Sequence, residues 1–239
     1  MEATTSSQTE NAYLRLREDL LTCRIKPGQK LIIADITTRL DINLGAVREA
    51  LSRLTSEGLV TSKSQKGFRA APMSLADLLD LTDTRIKIEN LCLESAILAG
   101  DLEWETRIVA SYHRLARTSE FEKEGSDIVS EVWAAAHSDF HTALVAACRS
   151  DWLLKLRALL YAQSERYRRF SIPLRVSDQD FLEKHRTMRD KDHKILMEAT
   201  LSRDVSDAKK TMSAHLQHTA DLIKNFARSG GDGDLAIGF

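Results

Sequence analysis

The stretch that decides the N-terminal fold is Asn43-Leu-Gly45-Ala-Val47-Arg48-Glu49-Ala50-Leu51-Ser52-Arg53-Leu54-Thr55-Ser56-Glu57-Gly58. Its apolar residues at 47, 50, 51 and 54 follow the i, i+3, i+4, i+7 rule of a helix with one buried stripe, leaving Arg48, Ser52 and Arg53 off that stripe. Asn43 is suited to cap the first turn, and Gly58 supplies the stop. Upstream, 12–24 reads as an amphipathic helix through Leu14, Leu16, Leu20 and Leu21, and Lys26-Pro-Gly-Gln29 ends it with turn chemistry. Leu31-Ile-Ile33 reads either as an extended piece or as the lead-in to a short helix over Ala34–Leu40. Downstream, Leu59–Lys63 and Phe68–Ala70 flank Ser64-Gln-Lys66-Gly67, a hairpin with a polar, basic tip. Residues 1–9 are small and polar and are expected to be disordered.

Helix, short helix, turn, helix and hairpin make a winged helix-turn-helix. The second helix of such a unit lies in the DNA major groove, where arginine suits a two-pronged contact with guanine. The hairpin tip would place Lys66 and the Gly67 backbone against phosphate or in the minor groove. On an isolated helix Arg48 and Glu49 would read as a solvated face, so the surrounding elements carry the inference. Double-stranded DNA is the implied partner.

Composition agrees. The chain has 239 residues, only 10 Gly and 3 Pro, and 29% charged residues, the profile of a mainly helical globular protein. Its formal net charge of −1 hides an asymmetry, because residues 1–72 carry 11 Lys/Arg against 8 Asp/Glu, making them the part suited to a polyanion. No apolar run is long enough for a membrane span, and the first residues lack the pattern of a secretory leader. The three scattered cysteines, with no C-x-x-C spacing, suit a reducing cytoplasm.

Ala71-Pro-Met-Ser74 is the break between two domains, expected over 10–72 and 73–228, with a flexible tail over 229–239. Beyond Ser74, a helix is expected from Leu75 to near Gly100, then others at about 103–118, 126–148, 151–170, 187–202 and 205–228, with a loop over 171–180 around Pro173. The result is a helical bundle without strands.

Four histidines become informative in that bundle. His137 and His141 are four residues apart, on one helix face. His193 lies 11 positions before Asp204 and His215 lies 11 after it. If those helices form an antiparallel hairpin, each histidine is roughly 16 Å from the turn, and the two come level. Four imidazoles converging in a bundle suit a transition metal, zinc being the commonest. His113, His185 and His218 fall outside this set, with His218 a reserve ligand one turn past His215.

Lys26-Pro-Gly-Gln-Lys-Leu31, Val47-Arg-Glu-Ala-Leu51 with Leu54, and Glu57-Gly-Leu-Val60 closing at Lys66-Gly67 resemble the GntR family of bacterial repressors. That resemblance implies DNA contacts at Gly45, Arg48 and Gly67, with phosphate contacts at Arg53 and Lys66 and Asn43 at the same surface. The family's polar–Arg pair before the recognition helix is Asn43-Leu44 here, so one DNA-contacting arginine is missing. Arg85-x-x-x-Glu89, Phe140-His141-x-x-Leu144, Ser202-Arg-Asp204-x-x-x-Ala208 and Met212-x-x-His215 resemble the ligand-sensing (FCD-type) domain of the FadR branch. In that branch a divalent metal is held by an acidic or amide residue and three histidines. The first ligand position is His137 here, which favours a transition metal over Mg²⁺.

The resemblance implies a homodimeric, effector-responsive regulator of organic-acid catabolism, with a small carboxylate bound near the metal. Arg85 and the cluster Arg166-Tyr167-Arg168-Arg169 are the basic candidates. If their helix packs at Leu156, Leu160 and Gln163, then Arg166, Tyr167 and Arg169 are the effector-binding set and Arg168 is solvated. A structural metal with the effector elsewhere is the alternative. A metal-dependent hydrolase is the remote one, since there is no H-E-x-x-H arrangement.

Overall fold

A computed structural model describes the backbone at residues 2–63, 67–123, 129–175 and 179–228. Side chains are described over the same spans except 2–7, 63, 171–175, 179–189 and 226–228. The N-terminal domain runs α1 (Glu2–Leu21), β1 (Lys30–Leu31), α2 (Ile33–Leu40), α3 (Leu44–Ser56), β2 (Val60–Lys63) and β3 (Gly67–Ala70). The strands form one antiparallel sheet in the order β1-β3-β2, with Leu31 opposite Phe68 and Val60 opposite Ala70. Leu31 is thus extended. Leu16, Leu20, Val47, Leu51, Leu54 and Leu59 fill the core beneath the sheet, so the stripe read from the sequence is the buried one. The Asn43 side chain caps α3 by accepting from the Ala46 amide at 2.9 Å.

The expected disorder at the N-terminus is corrected, since α1 begins at Glu2. Its extra turns are tied to α3: Thr9 Oγ1 donates to Glu49 at 3.2 Å, Arg53 pairs with Glu10 at 2.7 Å, and the Asn43 amide donates to Gln8.

The second domain comprises α4 (Leu75–Ala99), α5 (Leu102–Ala116), α6 (Glu131–Leu144), α7 (Asp151–Arg175), α8 (Gln179–Leu201) and α9 (Val205–Arg228). Ser74, Asp101 and Ser130 cap α4, α5 and α6 through the amide three residues on. Three spans differ from expectation. The helix expected from 126 begins at Glu131, where Ser130 caps it. The break around Pro173 lies further on: α7 runs through that proline to Arg175 and α8 starts at Gln179. A proline in the last turn removes one backbone donor without stopping the helix earlier. The tail over 229–239 lies outside the described residues.

Leu93, Ile108, Trp133, Phe140, Leu144, Leu196 and Met212 form the main core. Trp104, within that core, satisfies its indole N–H on the Ala143 carbonyl at 2.9 Å. The α8–α9 hairpin turns at Ser202–Asp204, with Arg203 at φ +58° and Asp204 accepting from the Asp207 amide. Among the described residues no helix is long and apolar enough to cross a membrane.

The seam between the domains runs along α7. Gln163 donates to the Glu57 carbonyl at 2.8 Å, Arg166 to the Ala71 carbonyl at 2.7 Å, and the Tyr167 hydroxyl meets both the N–H and the carbonyl of Ser74 at 3.1 Å.

Candidate metal centre and effector cavity

His137 and His141 project from α6, His193 from α8 and His215 from α9, and all four are buried. One ligand nitrogen from each lies within 4.8 Å of the others. The hairpin brings His193 and His215 level, their ring centroids 4.7 Å apart, and α6 presents His141 5.2 Å from His215 and His137 5.1 Å from His193. Both ring nitrogens of His141 and Nδ1 of His215 are buried without a hydrogen-bond partner among the described residues. Leaving such groups unsatisfied costs about 1–3 kcal/mol each, which a shared ligand would offset.

Burial drives His137, His141 and His215 toward the neutral form. His137 and His141 are held well below the usual histidine range by desolvation first and neighbouring histidines second, with Arg168 acting on His137 and Arg85 on His141. His215 is lowered to about 4, by burial foremost. Buried imidazoles that converge in this way are the donor set of zinc, nickel, copper or iron, so the residues present fit such an ion.

Other side chains fix these rings. Trp133 stacks on His137 at 4.9 Å, and the Tyr161 hydroxyl lies 3.0 Å from His137 Nδ1. Arg157 donates to the His141 carbonyl at 2.7 Å and to the fully buried Glu89 at 2.8 Å. Glu89 also accepts from Arg85, so the i, i+4 pair on α4 is a buried bridge and not a surface pair. Asp139 points outward to Arg114, and His113 is exposed. The side chain of His185 lies outside the described residues. His218 stays out of the cluster and pairs with Asp192 at 3.0 Å.

A cavity opens against the cluster, lined by His137, His141 and His215 together with Leu78, Thr82, Arg85, Tyr161, Arg168 and Ile223. Arg85 lies there with its guanidinium 4.9 Å over the Tyr161 ring. The remaining basic assignments need correction. Arg166 is buried on another side of α7, bonded to Gln163 and Ala71, and Arg169 is ion-paired with Glu131 and Glu165 beside a separate groove. Tyr167 lines the cavity, but its hydroxyl is committed to Ser74 and Asp77. Arg168, expected in solvent, lines the cavity, bonds Glu165 and lies 4.8 Å over Trp133. Tyr161, Glu165 and Arg157 were missed, although positions 157, 161, 164 and 168 share one helical face.

On the N-terminal domain, Gly45, Arg48 and Gly67 are exposed on the surface that α3 and the hairpin share. Asn43 is exposed while capping. Arg53 lies 3.9 Å over the Tyr13 ring and pairs with Glu10, its side chain staying 43% exposed. Lys66 lies outside the described residues.

Residues 8–69 match the gntR family of bacterial regulatory proteins, and residues 80–218 match the FCD domain. The chain belongs to the GntR family. It is a DNA-binding transcriptional regulator of the GntR/FCD type. It is 36% identical over 224 residues to the HTH-type transcriptional regulator BphR of Paraburkholderia xenovorans, covering 94% of this chain and 88% of that one. It is also 36% identical over 215 residues to the HTH-type transcriptional repressor GlaR of Escherichia coli, covering 90% and 94%. The fold is that of E. coli McbR/YncC, with a TM-score of 0.72 at 15% identity over 91% of this chain and 97% of that one.

Proposed function

We propose that this GntR/FCD regulator represses an organic-acid catabolic operon and leaves its operator when a small carboxylate binds beside a transition metal. Zinc is the first candidate, held by His137, His141, His193 and His215. The observation that carries the reading is the shared cavity, in which the histidine cluster and the guanidinium groups of Arg85 and Arg168 line one space. A bound metal would supply a Lewis-acid site for a carboxylate oxygen; Arg85 and Arg168 would orient and neutralise the anion. Similarity to a protein named a repressor supports the sign of regulation.

Helix α7 links the two ends. Tyr161 and Arg168 face the cavity, while Gln163 and Arg166 bond Glu57 and Ala71 at the base of the reading head. A ligand that favours one placement of α7 biases the head's position. Gly45, Arg48 and Gly67, together with Asn43, Arg53 and Lys66, would meet the DNA.

A homodimer would present two heads to two half-sites. Its interface is the outer face of α4 and α7, where Leu91, Leu98, Trp152, Leu156 and Leu159 are 48%, 74%, 74%, 45% and 41% exposed. The two helices run antiparallel, Glu89 against Arg157 and Ser95 against Arg149. These five side chains leave on the order of 500 Å² of apolar surface in water, most of the ~800 Å² per partner that a stable dimer covers.

Metal analysis of the purified protein, followed by fluorescence anisotropy on its own upstream DNA with a panel of carboxylates, tests the whole reading. Specific, salt-sensitive binding released by one carboxylate is expected; its absence at any salt concentration refutes it. A second reading keeps the metal structural and seats the effector in the groove between α1, α6 and α7, whose free volume is about 400 Å³ and whose walls include Arg17, Arg157 and Arg169. His141→Ala separates the two: a folded variant that still responds to effector favours the groove.

A further inference from the structure

The histidine cluster has two sides. His215 lines the effector cavity, and it also lines a separate groove between α8 and α9 with Asp192, Asp207, Lys210, Thr211 and His218. His215 is only 8% exposed, and its Nδ1 has no hydrogen-bond partner among the described residues. The groove offers about 390 Å³ of free volume, against about 50 Å³ in the cavity.

The two sides also differ in charge. Among the described residues the cavity presents Arg85 and Arg168, with Glu165, bonded to Arg168, as the one carboxylate in its walls. The groove presents Asp192 and Asp207, with Lys210 as its cation. A dication approaching through the cavity meets two guanidinium groups, whereas one approaching through the groove meets carboxylates.

Between solvent and cluster stands the Asp192–His218 pair at 3.0 Å, its side chains 25% and 31% exposed. His218 is three residues past His215 on α9, and Asp192 adjoins His193 on α8. His218 Nδ1 faces Asp192, which leaves Nε2 as the ring's second ligand atom. Carboxylate and imidazole are donors that a hydrated transition-metal ion accepts in exchange for water.

We propose that the metal reaches and leaves the four-histidine cluster through the α8–α9 groove, handed on by Asp192 and His218, while the cavity lined by Arg85 and Arg168 is reserved for the anionic effector. This rests on the metal centre argued above. It gives the two ligands separate routes, so exchange of one does not require departure of the other.

The test uses the full-length apoprotein and Co²⁺ alone, followed by stopped-flow absorbance of the cobalt d–d bands. Asp192→Asn and His218→Gln are expected to slow uptake about tenfold each, the lower end of what focused charge contributes to an association rate. Ala214→Trp, at an exposed groove residue that ligates nothing, is expected to slow both uptake and chelator-driven release by obstruction. Final stoichiometry and spectrum stay those of the wild type. Unchanged rates in all three variants overturn the route while leaving the metal centre standing. An altered final spectrum in Asp192→Asn or His218→Gln makes that residue a resident ligand and overturns its role in transit. Failure of the wild type to take up Co²⁺ overturns the metal centre and the route with it.

Discussion

The metal-free protein should show a pH dependence of stability that the buried histidine cluster writes into the fold. His215 is lowered to about 4 in the folded chain, burial being the main cause, against about 6.5 when unfolded. Above pH 6.5 the imidazole is neutral in both states and contributes nothing. Between 6.5 and 4 the unfolded chain takes up a proton that the folded chain refuses, so stability falls as pH falls, by about 1.36 kcal/mol per unit for this one group. The deficit is about 2 kcal/mol at pH 5 and levels off near 3.4 kcal/mol below pH 4. His137 and His141, also lowered by burial, add to it with the same sign. The assay is urea unfolding of chelator-treated protein at pH 7.5, 6.5, 5.5 and 5.0, followed by tryptophan fluorescence, beside His215→Asn. Subtracting the variant's pH profile removes the surface carboxylates common to both chains. A difference that grows by about 2 kcal/mol from pH 7.5 to 5.0 is expected. Parallel profiles would refute the reasoning, because the His215 imidazole would then ionise as freely folded as unfolded.

Glu89→Gln strands Arg157 in the core and should cost about 3 kcal/mol in the urea titration, while the double change with Arg157→Met should recover part of it. An unaltered unfolding midpoint for Glu89→Gln would deny the bridge its role. Arg48→Ala should weaken operator binding by about 1–3 kcal/mol in anisotropy with the fold retained, and equal losses on specific and random DNA would demote it to a phosphate contact. If the chain dimerises through α4 and α7 as proposed, Trp152→Glu should shift it to monomer in sedimentation and lower operator affinity; a variant that sediments as the wild type does would refute that interface.

What could be read from the sequence followed periodicity. The recognition helix was legible because Val47, Ala50, Leu51 and Leu54 repeat at helical spacing behind a capping Asn43, and the structure buries those four. The histidines were legible because equal distances from a hairpin turn fix level without any knowledge of side-chain packing. The arginine run on α7 was not. Neighbouring residues on a helix differ by about 100°, so choosing among Arg166, Arg168 and Arg169 requires the phase of the buried face. Placing that face at Leu156, Leu160 and Gln163 was wrong, since Leu156 is 45% exposed. The phase is set by a charged residue, Arg157, bonded to the fully buried Glu89, and apolar periodicity is blind to an ion pair in a core. The extent of α1 was hidden for a similar reason: polar residues 8–10 are held by partners on α3, far along the chain.

The histidine at 137 changes the electrostatics of the proposed centre as well as its choice of ion. Four neutral imidazoles leave a divalent ion its full double charge, whereas a carboxylate ligand would cancel one unit. That charge would sit in a buried site already facing Arg85, with Arg157 behind it, and Glu89 is shared between the two guanidiniums. In a medium of low polarity such an excess of positive charge must be offset, and the cavity admits the offset from outside as an anion. Metal and carboxylate would therefore stabilise one another, and by linkage the factor by which the metal tightens the carboxylate would equal the factor by which the carboxylate tightens the metal. A carboxylate bound there would also complete the charge balance on the cavity face of α7, the helix whose Gln163 and Arg166 hold the DNA-binding domain. A neutral analogue of the same shape would fill the cavity without supplying that balance, and would leave the head where it was.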